Sequence, residues 1–319
     1  MKKGLIITAV ILTVAGLILI ISSWFFNGPD FSVSENAKTE TNAYTITDRF
    51  ENIDISTLEA DITLIPSENR ECRIVCEERA YTKHNVSTEN GTLKIEVEDT
   101  RKWYDYIMLF SFNSQSVTVY LPSDRYEELD ISCVTGRVSV SEKFTFENAS
   151  IESSTGSVLF KASADGDVKI KTITGGIHID GINAKNIGLS VSSGSVTAEK
   201  INCDGDITVS VSTGRTTLDG VNCKSLFSSG STGRITLKDT VATESFRIER
   251  NTGDIYFQNS DAGEIYAKTS TGDVTGTLNS EKVFIAKTST GKIMLPDSVS
   301  GGRCEITTAT GDINISIKE

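Results

Sequence analysis

A Thr-Gly or Ser-Gly pair returns ten times in the second part of the chain, at Thr135-Gly136, Thr155-Gly156, Thr174-Gly175, Ser193-Gly194, Thr213-Gly214, Thr232-Gly233, Thr252-Gly253, Thr271-Gly272, Thr290-Gly291 and Thr310-Gly311. Successive copies are 19 or 20 residues apart throughout. A unit of that length cannot enclose a core of its own. Units repeating at a fixed period bury their apolar stripe only by stacking, which makes a solenoid. The near-identical stretches AKTSTGDV (267–274) and AKTSTGKI (286–293) are therefore predicted to hold the same station one coil apart.

The flanks identify the solenoid as a β-type. Two residues after the Gly stand Val138, Val158, Ile177, Val196, Thr216, Ile235, Ile255, Val274, Ile293 and Ile313. Five and seven residues before it the positions are again mostly apolar, as at Ile187/Leu189 and Ile207/Val209, with polar residues between. Alternation with period two is a strand with one face turned inward. A helix is excluded, because the apolar spacing is wrong and a recurrent Gly would cost a helix about 1 kcal/mol each time. Each coil is predicted to run strand, Thr-Gly corner, strand, turn. The Gly supplies a positive φ or a sharp bend, and the preceding hydroxyl is placed to bond its neighbours up and down the stack. The fold class is all-β: a parallel β-solenoid with 19–20-residue coils, whose ten coils at ~4.8 Å spacing make a rod of roughly 50 Å.

Other segments depart from this period. Residues 1–26 carry Lys2 and Lys3 and then an uncharged apolar run from Leu5 to Phe26. That run is long enough for one transmembrane helix, with the N-terminus cytoplasmic, the membrane engaged through residues 4–26 and the rest extracytoplasmic. A cleaved signal peptide is the other reading. Residues 27–44 read as a polar stalk, 45–128 as an N-terminal β cap or first coils, and 129–319 as the solenoid repeats. The stretch 100–115, with Trp103, Tyr104, Tyr106 and Phe110, is expected to belong to the cap. The formal charge of −12 argues against nucleic acid as a partner.

Chemistry is sparse. The chain has six Cys and two His, His84 and His178, and no CxxC. Cys72 and Cys76 on one strand are too far apart to bridge, and Cys203 and Cys223 in adjacent coils are expected as stacked free thiols. Zinc has poor support, and no cofactor is expected. Asp165-Gly166-Asp167 and Asp204-Gly205-Asp206 read as turns in preference to calcium loops. Asp254 and Asp273 share an outward station with Arg215, Arg234 and Lys292, which reads as surface ion pairing and not as the acid pair of a sugar-cleaving enzyme. Rows of Thr resembling an ice-binding face occur only at 269–271 and 288–290. The feature best placed for interaction is the Thr ladder Thr213, Thr232, Thr252, Thr271, Thr290 and Thr310.

The motifs FENIDIST, GTLKIEVED and SVTVYLP, with the recurrent STG-x-[VI] corners, resemble the bacterial "putative adhesin" β-strand-repeat family, domain of unknown function 4097, over about residues 45–317. The anchored layout is similar to LiaG-like members associated with cell-envelope stress operons. The resemblance implies an extracytoplasmic fold and location, and brings no catalytic residues. The expected function is a non-enzymatic adhesin or scaffold whose partner is a cell-envelope protein or polysaccharide. Two other readings stand beside it: a β-helix enzyme acting on envelope polysaccharide, and an accessory partner of a membrane sensor.

Overall fold

The computed structural model describes residues 39–79, 81–101 and 115–318, with the isolated residues Thr13 and Gly16. The expectations for residues 1–26 and for Trp103 to Phe110 therefore lie outside the described residues. No helix among the described residues is long and apolar enough to cross a membrane.

From residue 125 onward each coil has the same parts. A strand such as Asp206–Thr213 puts Ile207, Val209 and Val211 inward and ends at the Thr-Gly corner. A second strand leaves the corner with its own alternating apolar residues, as Ile235–Lys238 does with Ile235 and Leu237. Every inward station stacks on its counterpart in parallel register: Val168 on Ile187, Ile187 on Ile207, Ile207 on Leu226 and Leu226 on Phe246. The core is thus a column of aliphatic layers, each fully buried Ile or Leu contributing about 1.5–3 kcal/mol. Phe246 and Phe257 stack in one layer with ring centroids 6.4 Å apart.

The corner glycines have φ between 132° and 154°. A Cβ at Gly194 would run into the carbonyl of Gly175 in the adjacent coil, 2.6 Å from its carbon. Glycine here satisfies two demands at once, a backbone region closed to other residues and the close approach of one coil to the next. A second column of left-handed residues, not legible as such from the periodicity, marks the opposite corner: Gly181, Lys200, Gly220, Asp239 and Asn259 all have φ between 44° and 69°.

Order along the stack is where the structure departs from expectation. The strand Lys282–Lys287 does not follow Ile255–Lys268. The last coil is inserted between them, so that Ile265 pairs with Cys304 and Cys304 with Phe284. The two AKTSTG stretches are accordingly separated by a coil, with Thr271 bridged to Thr310 and Thr310 to Thr290. The N-terminal end is permuted in the same way. The strand Asn52–Pro66 is sandwiched between Arg125–Thr135 and Val138–Val140 on one side and Thr92–Asp99 and Gln115–Leu121 on the other. Beyond these, Cys72–Arg79 and Thr82–Glu89 add antiparallel strands that end the parallel stack, and Thr39–Ile46 pairs antiparallel with Cys72–Arg79. Residues 39–44, expected in a stalk, are thus part of a cap strand.

Both ends solve one problem. An open solenoid end offers unpaired N–H and C=O groups to any passing strand. At the C-terminal end the edge is taken by a coil with short strands, Lys282–Lys287 and the two-residue Ile293–Met294, that carries Lys282, Lys287 and Lys292. The chain's last strand, Ile313–Ile317, is held inside the stack instead.

Candidate functional site

All six ladder threonines, Thr213, Thr232, Thr252, Thr271, Thr290 and Thr310, are exposed. Their backbone holds the corner together: Gly194 N–H donates to Thr213 O (2.9 Å), Gly233 to Thr252 O (2.8 Å), Gly272 to Thr310 O (2.9 Å) and Gly311 to Thr290 O (3.0 Å). Their hydroxyls do not bond up and down the stack as expected; among the described residues these six make no hydrogen bond. That task falls to the station two residues earlier. Thr269, Thr288 and Thr308 Oγ1 each donate 3.0 Å to the carbonyl of a corner glycine, Gly253, Gly311 and Gly272 respectively. Thr269 is 1% exposed, so the Thr-x-Thr pattern does not present paired threonines to solvent.

The next outward column after the glycines contains three consecutive aspartates in space, Asp254, Asp273 and Asp312, because the last coil is inserted. Asp254 Oδ1 accepts the N–H of Asp273 (3.1 Å), Asp273 that of Asp312 (2.8 Å), and Asp312 that of Lys292 (2.7 Å). Arg234 Nη2 lies 2.7 Å from Asp254 Oδ2 and holds that carboxyl below the usual carboxylate range. The sequence pattern paired Asp254 with Asp273. Asp312 was hidden because its partner is 39 residues away. The row forms a line along a shallow depression of about 220 Å³ lined by Arg234, Asp254, Tyr256, Asp273 and Thr275.

On the outward side of the pre-corner strands, five residues before the ladder, sequence reasoning missed a second feature. Phe227, Arg247, Tyr266 and Glu305 fall in one register row. The Arg247 guanidinium lies 4.6 Å from the Tyr266 ring centroid, a cation–π contact. Arg247 also pairs with Glu249 (2.7 Å) and Arg303 with Glu305 (2.6 Å). Phe227, Arg247, Tyr266, Arg303 and Glu305, with Glu264, line a depression of about 470 Å³. The row's two aromatics, Phe227 and Tyr266, lie 39 residues apart, so no short motif announces it.

The glycine of each Asp-Gly-Asp stretch sits at a bend against the preceding coil. Gly166 N–H donates to Glu147 O (2.7 Å), and Asp167 N–H to Asn148 Oδ1 (2.9 Å). All six cysteines are buried and unbridged, and burial pushes the Cys72, Cys76, Cys223 and Cys304 thiols up to about 12. His178 is half-buried on the outward side of the strand Ile177–Asp180. At the capped end, Cys76, Glu78 and His84 meet in one buried cluster.

The Toastrack DUF4097 family model matches residues 50–210 and 200–319, which together span most of the chain. The chain belongs to the DUF4097 family. Among solved structures, this Toastrack chain is similar to a "putative adhesin" of Parabacteroides distasonis, at 12% identity and a TM-score of 0.48, covering 85% of this chain and 97% of that one. It is similar to a second from Parabacteroides merdae at 16% identity and a TM-score of 0.44, covering 77% and 98%. A "putative lipid binding protein" of Parabacteroides distasonis matches at 14% identity and a TM-score of 0.39, covering 88% and 98%. No curated protein matches the chain.

Proposed function

We propose that this chain is a non-enzymatic binding module of the cell envelope, and that its ligand is a polysaccharide laid across the outward face of the pre-corner strands. The observation that carries the reading is the ladder of exposed threonine hydroxyls, unbonded within the described chain and fixed in register by the corner hydrogen bonds. Five residues earlier on the adjoining strands, the Phe227–Arg247–Tyr266–Glu305 row offers an aromatic surface with charged hydrogen-bonding groups. Stacking on a sugar ring with polar groups around it fits that chemistry. Many weak, evenly spaced contacts give avidity without a deep pocket.

The test is a binding and turnover assay of the purified full-length protein on isolated cell wall, its separated polymers and a glycan array. Saturable binding without product, weakened by Thr232→Lys, Thr271→Lys or Tyr266→Ala, is expected. Release of sugar fragments would overturn the reading and point to Asp254, Asp273 and Asp312. Absence of both binding and release would favour the sensor-partner reading. Exchange of residues 4–26 for an unrelated anchor would then be the next experiment.

A further inference from the structure

At the N-terminal corner three side chains of different chemistry turn inward together. Cys76 and Glu78 alternate on the strand Cys72–Arg79, which pairs with Gln115–Leu121 in the post-corner row. His84 lies on the strand Thr82–Glu89, opposite Val97 in the pre-corner row. The chain from Glu78 to His84 therefore crosses the corner. It brings one thiol sulfur, one carboxylate oxygen and one imidazole nitrogen all within 4.8 Å of one another. Glu78 Oε1 lies 3.9 Å from His84 Nδ1, too far for a hydrogen bond. The three residues are 0–3% exposed.

The second observation is independent of that spacing. Neither ring nitrogen of His84 has a hydrogen-bond partner among the described residues. Polar groups immediately around it are bonded. Thr82 Oγ1 donates to Gln115 Oε1 (2.9 Å), Tyr44 O–H to the His84 carbonyl (3.2 Å), and His84 N–H to Glu78 Oε2 (3.0 Å). Leaving a buried polar group unpaired carries its full desolvation penalty, so an orphaned imidazole facing a thiol and a carboxyl calls for a partner.

We infer that Cys76, Glu78 and His84 form a binding site for one divalent transition-metal ion of the zinc class. The donor set is the borderline-soft combination that suits such an ion, with a fourth position left for water or the second carboxylate oxygen. Tetrahedral coordination at about 2.0–2.3 Å per ligand places donor atoms about 3.5 Å apart, so they close by up to about 1.3 Å. Charge balances as well: a thiolate and a carboxylate neutralise the ion and the imidazole remains neutral. In its absence burial pushes the thiol and the carboxyl up and the imidazole down, each toward its uncharged form. The ion would clasp the two cap strands across the corner.

The experiment uses the purified full-length protein, stripped with chelator and titrated with Zn²⁺ or Co²⁺ alone. One equivalent is expected to bind, with a thiolate-to-cobalt charge-transfer band and a rise in the unfolding midpoint. His84→Gln and Cys76→Ser are expected to abolish the band, whereas Cys72→Ser, on the same strand face, keeps it. Circular dichroism of each variant separates loss of the ion from loss of the fold. X-ray absorption of the wild-type zinc protein reads the ligands without any variant: one sulfur with nitrogen and oxygen neighbours is expected. No stoichiometric binding, a sulfur-free shell, or a band that survives both His84→Gln and Cys76→Ser overturns the assignment.

Discussion

Replacing Gly194 by Ala tests the coil-to-coil contact on which the whole stack depends. Gly194 has φ 150°, and a Cβ there would lie 2.6 Å from the carbonyl carbon of Gly175. Ordinary carbon–carbon contact is about 3.5 Å and the carbonyl oxygen lies closer still, so the two coils must separate locally by at least about 1 Å. The flanking hydrogen bonds, Gly175 N to Ser193 O and Ile177 N to Ser195 O, are both 2.9 Å long and would be stretched beyond bonding range. Two lost bonds at ~1 kcal/mol each and backbone strain of ~2 kcal/mol give a destabilisation of about 4 kcal/mol.

Two neighbouring glycines serve as controls. Gly181 has φ 69° and open space where a Cβ would go, so Ala there costs only ~1–2 kcal/mol. Gly188 needs no positive φ, and its nearest neighbour would be Lys169 Cγ at 3.8 Å, so Ala there is neutral or stabilising by up to about 1 kcal/mol. Urea unfolding followed by far-ultraviolet circular dichroism should rank the midpoints Gly188→Ala, Gly181→Ala, Gly194→Ala from highest to lowest. A Gly194→Ala midpoint equal to that of Gly181→Ala would refute the close approach.

The inserted last coil predicts that spin labels on the double variant Thr271→Cys/Thr310→Cys, one strand spacing of ~4.8 Å apart, couple more strongly than labels on Thr271→Cys/Thr290→Cys, two spacings apart. Dipolar broadening of the continuous-wave EPR spectrum distinguishes them, and the reverse order would refute the insertion. Arg234→Gln should raise the Asp254 carboxyl toward 3.8, read by NMR titration. The stabilisation from this depressed carboxyl is present above 3.8 and lost as pH falls through the folded value, and this exposed pair contributes under ~1 kcal/mol at neutral pH. Glu78 has the opposite sign: burial raises its carboxyl above 4.5, so the metal-free protein loses stability as pH rises through the folded value. Glu78→Gln should therefore raise the metal-free unfolding midpoint at pH 7 and remove the response to zinc.

The periodic part of the fold was legible because each coil obeys one local rule. Ile207, Val209 and Gly214 declare strand, inward face and corner within eight residues. Order at the ends was not, because Thr271, Thr290 and Thr310 carry the same local signal whichever coil lies between them. The exchange is decided by how the end of the stack is sealed, a property of the assembled sheet. The candidate face divides in the same way. Its threonine ladder follows from the period, while Phe227, Arg247 and Tyr266 come together only through the register of three coils. The Cys76–Glu78–His84 cluster escaped notice for a third reason. His84 belongs to a different row from Cys76 and Glu78, and only the antiparallel cap brings the rows to one corner.

Because the inner coils repeat one unit between two distinct end structures, the outward sheet face grows or shrinks with coil number. Deleting residues 207–225 removes one coil and joins Asp206 to Leu226, the residue that stacks on Ile207. The inward stations keep their register, so the stack is expected to retain its circular dichroism and unfold cooperatively. The deletion takes away Thr213 of the ladder and leaves the Phe227–Arg247–Tyr266 row untouched. If binding is avidity along the ladder, affinity for a long polymer should fall several-fold, whereas affinity for a short oligomer seated on the aromatic row stays constant. An equal loss for both lengths would place the binding energy in the aromatic row and general rigidity. An unchanged affinity for the long polymer would refute the ladder as a binding element.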